Sequence, residues 1–167
     1  TMPRRAAAIL AAVVSVLVVG CAGDDPEGEP LVRRIDDAVF AVESQLAAPQ
    51  EYFEISATAD EVSLIVARPV EGGLEADRYV WSAGEVGPVE MLGEATGSTF
   101  AASDLSFDPD DVFDRLRDEL DDPMIVDFAV TGGEGRVAYD ATVQSASGGV
   151  LLVLLGPGGD ILAVQAE

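Results

Sequence analysis

The side chains available for chemistry in this sequence are almost all carboxylates. Of its 167 residues, 31 are Asp or Glu and 9 are Arg, and the chain contains neither His nor Lys, so its formal charge is -22 at pH 7. This composition excludes Ser-His-Asp triads, Lys Schiff bases and His-ligated metals. It also argues against nucleic-acid binding, because phosphate neutralisation needs clustered Lys and Arg.

The densest group of acids lies where a helix is predicted to begin. Asp108 can cap that helix, Pro109 fits its first position, and Asp110 and Asp111 favour the positive end of the helix dipole. Carboxylate oxygens also suit Ca²⁺, but the spacing lacks the central Gly and terminal Glu of an EF-hand loop. We therefore expect a capped, solvated helix start with no metal and no cofactor, and keep a calcium site as the weaker alternative.

Two aromatic residues form the other candidate contact site. Tyr79 and Trp81 alternate along a predicted strand, so their rings share one face. Such a pair can serve as a platform for a sugar or as a contact for a protein partner. Alternating aromatic residues are also common in half-buried strands, and that alternative stays open.

The N-terminal residues predict an export signal. Arg4 and Arg5 precede an apolar run at 6–19, which is short for a membrane span and typical of a signal peptide over residues 1–20. The single cysteine, Cys21, allows no internal disulfide and follows the sequence Leu-Val-Val-Gly. Residues 21–30 then read as an acidic tether.

This pattern resembles the lipobox of bacterial lipoproteins. The resemblance implies that Cys21 carries the lipid, that the signal peptide is cut before it, and that acyl chains hold the domain to the outer face of the cytoplasmic membrane within the cell envelope. A secretory signal with a chance cysteine and an uncleaved membrane anchor remain alternatives.

Hydrophobic periodicity divides the remaining chain into two similar runs. A helix is predicted over 31–48 and is followed by strands up to Leu92, whereas a second helix begins after Asp108 and is followed by strands at 124–131, 135–145, 149–155 and 160–166. A shift of about 73 residues aligns the runs and places Glu54 on Asp127. The strand at 149–155 is apolar on both faces, which predicts a central strand covered on both sides or an interface.

We therefore predict an α+β fold of two repeats, each with one helix followed by a three- or four-stranded antiparallel sheet. The first repeat spans 31–93, a connector spans 94–107, and the second repeat spans 108–167. The segment at 79–93 resembles uncharacterised actinobacterial envelope proteins, and the tandem plan is similar to PepSY-like domains and β-lactamase-inhibitor proteins.

The functional expectation is a non-catalytic envelope lipoprotein that binds or regulates a protein partner. The strong negative charge favours a basic partner. Binding of a small molecule or lipid is the alternative, and an enzyme that uses only carboxylates ranks third. The sequence leaves the oligomeric state and the identity of the partner open.

Overall fold

A computed structural model describes residues 28–133 and 135–166 of the chain. The predicted signal peptide, Cys21 and most of the predicted tether lie outside the described residues. Within the described part, neither α-helix is long and apolar enough to cross a membrane.

Two α-helices form where the sequence predicts them. A 3-10 turn at Val32–Arg34 leads into α1, Ile35–Leu46, which ends where Ala47 adopts a left-handed φ of 57°. The second helix, α2, spans Pro109–Glu119. The carboxylate of Asp108 accepts hydrogen bonds from two backbone N–H groups of its first turn, so the predicted cap is confirmed.

The described residues contain ten strands, all paired antiparallel. Their bounds are β1 Glu51–Ala57, β2 Val62–Val70, β3 Gly73–Ser82, β4 Glu85–Val86, β5 Glu90–Ala95, β6 Phe100–Ala101, β7 Met124–Gly133, β8 Arg136–Gln144, β9 Val150–Leu155 and β10 Ile161–Ala166. The order across the sheet is β10-β9-β8-β7-β1-β2-β3-β4, while β5 also pairs with β3 and β6 with β1. The longer strands lie close to the ranges predicted from alternation, whereas β4 and β6 have only two residues each and were not predicted.

The predicted architecture of two helix-plus-sheet repeats is wrong. Strand β1 pairs with β7, with Ser56 opposite Ala129 and Ile55 opposite Val130, so strands from both halves of the chain form one ten-stranded sheet. The protein is mostly antiparallel sheet, with only two α-helices in its described part. Pairing β1 with β7 satisfies backbone groups that two separate sheets would have left open at their edges.

The two faces of this sheet differ sharply. One face, called here the core face, packs against both helices in a single hydrophobic core that includes Val42 of α1 and Phe113 of α2. The connector also contributes, because Phe107 contacts the rings of Phe128 and Tyr139 at 5.2 and 5.4 Å between centroids. The opposite side, called here the open face, carries the alternate side chains and receives no helix among the described residues.

Bulges in β1 and β7 shift the alternation of these central strands. In β1 the register slips between Tyr52 and Glu54, so Tyr52 is fully buried, as Ile55 is. In β7 the register slips between Ile125 and Asp127. Each bulge is followed directly by an acid on the open face, which is consistent with the way bulges redirect side chains.

Strand β9 is not covered on both sides. Val153 and Leu155 are buried on the core face, whereas Leu152 and Leu154 on the open face stay partly exposed. Its neighbour β10 forms the edge of the sheet.

Candidate functional site

Three carboxylates converge at the middle of the open face. Strand pairing places Ala129 at their centre: Asp127 lies two residues along β7, Asp140 lies opposite Ala129 on β8, and Glu54 lies on β1 opposite Thr131. The three acids are called here the acidic triad. Ala129 is only 8% exposed although it lies on the open face, because larger side chains surround it. The triad therefore lies around a small side chain that its neighbours largely cover.

The acidic triad has no compensating positive charge among the described residues. None of its three carboxylates forms an ion pair or a side-chain hydrogen bond within that part of the chain. Arg78 also lies on the open face, but its guanidinium binds Ser63 at 2.9 Å and pairs with Glu61 and Glu90 at 3.3 and 3.6 Å.

Burial and mutual repulsion raise the proton affinity of two members of the triad, Asp127 and Asp140. Partial burial, followed by repulsion from Asp127 and Glu54, raises the pKa of Asp140 to about 6. Burial and the charge of Glu54 also raise the pKa of Asp127. Near neutral pH the open face therefore holds partly desolvated negative charges that repel one another, and a positive group placed among them would relieve that repulsion.

The acids at the start of α2 serve the helix itself. Asp108 Oδ1 accepts hydrogen bonds from the N–H groups of Asp110 and Asp111 at 2.9 and 3.5 Å, and Asp110 accepts one from Arg33 Nε at 2.9 Å. Among the described residues no group of three or more acidic or cysteine side chains is arranged to hold a metal ion. The weaker calcium alternative for Asp108, Asp110 and Asp111 stays a prediction.

The two aromatic candidates lie in the core. Tyr79 and Trp81 share one face of β3 as predicted, but that face is the core face, where they are 6% and 9% exposed. Their proposed role as a contact for a partner or ligand is not supported, because buried rings offer no accessible platform. The lipid-attachment candidate, Cys21, lies outside the described residues.

Sequence reasoning missed the acidic triad as a site. Its members come from three strands, and Glu54 of β1 lies 73 residues before Asp127 and 86 residues before Asp140 along the chain. Alternation did place Glu54 on the polar face of β1, and the aligned runs matched it to Asp127. Neither pattern indicated that β1 and β7 are neighbours, which is the contact that assembles the triad.

Comparison with known proteins gives one solved structure of similar fold. No protein-family model matches the sequence, and no curated protein matches it either. The similar structure comes from Clostridium difficile 630 and is named a "putative lipoprotein" (CD1622); the similarity covers 86% of this chain and 97% of that chain, with a TM-score of 0.51 and 10% sequence identity. At this identity the similarity shows the fold alone. The resemblances to PepSY-like domains, β-lactamase inhibitors and actinobacterial envelope proteins find no support in these comparisons.

Proposed function

We propose that the protein is a lipid-anchored lipoprotein of the bacterial cell envelope. Two independent observations support the proposal. The N-terminal sequence places the only cysteine, Cys21, at the lipid-attachment position of a lipobox. A solved structure of similar fold is itself named a "putative lipoprotein".

The proposed activity is non-catalytic binding of a protein partner that presents a basic surface. The observation that carries it is the acidic triad on the open face, which has no positive partner among the described residues and in which the pKa values of Asp127 and Asp140 are raised. A Lys or Arg side chain from a partner would offset the negative charge of the triad and favour the ionised form of Asp127 and Asp140. The open sheet face around the triad suits a protein surface better than a small molecule, because small-molecule sites are concave.

Carboxylate catalysis is not part of this proposal. A glycosidase holds two carboxylates on either side of a bond within a cleft. Here the acids lie on the open face of a sheet, and the composition supplies no His or Lys to assist them.

The anchoring proposal is tested with Cys21→Ser in a bacterial host. We expect the native chain to fractionate with membranes and to incorporate labelled palmitate, and we expect the variant to lose both properties. Retention of the variant in the membrane fraction would point instead to an uncleaved hydrophobic segment.

The partner proposal is tested with a model cation, decalysine, and the full-length protein in neutral phosphatidylcholine nanodiscs. A protein of charge -22 attracts any polycation, so the comparison between variants decides the result. We expect Asp127→Asn/Asp140→Asn to weaken binding at least about fivefold at moderate salt. The matched control is Asp118→Asn/Glu119→Gln, which removes two exposed acids from α2 and should change affinity far less.

The pH dependence gives a second readout of the same site. The contribution of Asp140 to decalysine binding should grow as pH rises from about 5 to about 7.5, because the carboxyl group loses its proton in this range. If both double variants weaken binding equally, the attraction comes from overall charge, and the open face is not the docking surface.

A further inference from the structure

A cleft borders the acidic triad at one end of the sheet, since its lining includes Leu154, which lies opposite Asp140. It has a volume of about 840 Å³, and its walls come from the connector before α2, the start of β8 and the end of β9. This volume falls within the range of pockets that bind small molecules. The proposed partner surface makes no use of it.

The cleft exists because β8 is longer than its neighbour. Pairing between β8 and β9 begins at Tyr139 and Leu155, so Arg136, Val137 and Ala138 extend beyond the end of β9. The chain leaves β9 at Gly156, and the gap between this turn and the start of β8 stays open.

Two close backbone contacts fix the walls. A Cβ atom on Gly132 would lie 2.2 Å from the carbonyl oxygen of Ser98, so this glycine lets the connector lie directly on β7. A Cβ atom on Gly159 would lie 2.9 Å from Cα of Val112, so the turn between β9 and β10 lies directly on α2. The walls are therefore held by the fold rather than by flexible side chains.

The polar group that distinguishes this cleft is Arg136. Each of the other six described arginines pairs with at least one carboxylate, whereas Arg136 has no ion pair with any described residue. In a chain with 31 acids and 9 arginines, a guanidinium left without a carboxylate is unusual. It lines the cleft and is available to bind an anion.

Polar and apolar residues share the rest of the cleft. Thr99, Asp104 and Ser106 are polar, and the carboxylate of Asp104 accepts a hydrogen bond from the N–H of Ala101 at 2.9 Å. Leu155, Pro157 and Leu162 line it beside Phe100, and Leu162 is 69% exposed. Tyr139 also lines it, and its phenol oxygen accepts a hydrogen bond from the N–H of Ser106 at 3.1 Å.

We propose that this cleft binds an apolar small molecule that carries a single negative charge, such as an aromatic or acyl carboxylate. The carboxylate pairs with Arg136, and the apolar body packs against Leu155, Pro157 and Leu162. The overall charge of the protein opposes small hydrophilic anions. A ligand therefore has to bury apolar surface in the cleft as well as pair with Arg136, and this requirement favours amphipathic acids.

The test uses 2-naphthoate and its neutral analogue 2-naphthamide, which differ in charge and little in shape. Binding to the full-length protein in neutral phosphatidylcholine nanodiscs is measured by titration calorimetry, with empty nanodiscs subtracted. We expect 2-naphthoate to bind at least about tenfold more tightly than the amide, since a charge-assisted hydrogen bond is lost with the carboxylate. Decanoate is tested in parallel, and its affinity relative to that of 2-naphthoate shows whether the cleft prefers an acyl chain or a compact aromatic ring as the apolar part of the ligand.

Variants assign the binding to the cleft. Arg136→Gln should abolish the preference for naphthoate over naphthamide, whereas Arg115→Gln, which removes an exposed arginine paired with Asp160, should preserve it. Leu162→Asp should weaken both ligands, whereas Met91→Asp, at a 77% exposed residue of β5, should weaken neither. The proposal is overturned if 2-naphthoate and 2-naphthamide bind equally tightly, or if Arg136→Gln binds 2-naphthoate as tightly as the native protein does. Neither result bears on the proposed partner surface.

Discussion

Replacing Asp140 by asparagine should stabilise the protein at neutral pH and leave its stability almost unchanged in acid. Burial and the charges of Asp127 and Glu54 raise the pKa of Asp140 from 3.8 to about 6. A raised carboxyl pKa means that the folded state binds the proton more tightly than the unfolded state does. The contribution of protonated Asp140 to the free energy of unfolding is therefore fully present below the unfolded pKa. It is lost as pH rises through the window from 3.8 to about 6, and the native protein stays less stable above that window.

The size of this effect follows from the pKa shift. At about 1.36 kcal/mol per pKa unit, the shift from 3.8 to about 6 corresponds to about 3 kcal/mol. Asp140 is only partly buried, and solvent screening reduces this figure to about 1.5 kcal/mol. For a chain of this size, that free energy raises the melting temperature by about 3–6 °C.

The assay is thermal unfolding of the native protein and of Asp140→Asn at about pH 4 and about pH 7.5, followed by circular dichroism. The control is Glu71→Gln, which removes one exposed acid from the β2–β3 turn and has no ion pair within the described chain. It should show how much of the change comes from lower overall charge alone. A destabilised Asp140→Asn at neutral pH, or an equal gain at both pH values, would refute the account of the acidic triad.

Three further predictions concern the scaffold. Gly132→Ala should lower the free energy of unfolding by about 1–3 kcal/mol in denaturant titration, because its new methyl group meets the Ser98 carbonyl. The control, Gly73→Ala, should cost much less, because a Cβ atom at Gly73 would enter open space. Equal losses in the two variants would contradict the close approach of the connector to β7. Asp108→Ala should lower the free energy of unfolding by about 1 kcal/mol through loss of the helix cap, whereas Asp108→Asn should keep most of that stability. An alanine variant as stable as the native protein would show that the cap contributes nothing. EDTA should leave the melting temperature unchanged, whereas a fall of several degrees would support the calcium alternative at the start of α2.

Local structure could be predicted well from the sequence because its signals are local. Asp108 and Pro109 locate the start of α2, and the alternation of apolar residues locates most strands to within a few residues. The same signals placed Tyr79 and Trp81 on a common face. Alternation alone did not reveal that this face is the buried one, so the predicted contact role was not supported.

The pairing of distant strands was decided only by the tertiary structure. Periodicity reports which residues share a face of one strand, and it carries no information about which strand lies alongside. The contact between β1 and β7 turned two predicted small sheets into one, and it brought Glu54 close to Asp127 and Asp140. Likewise, the position of Arg136 beyond the end of β9 depends on the register of β8 against β9. The sequence by itself determined the composition, the Cys21 motif, the helix cap and the alternating strands, because each depends on residues close together in the chain. The open face and the cleft came from the tertiary structure, because each requires strands that are far apart in the chain to meet.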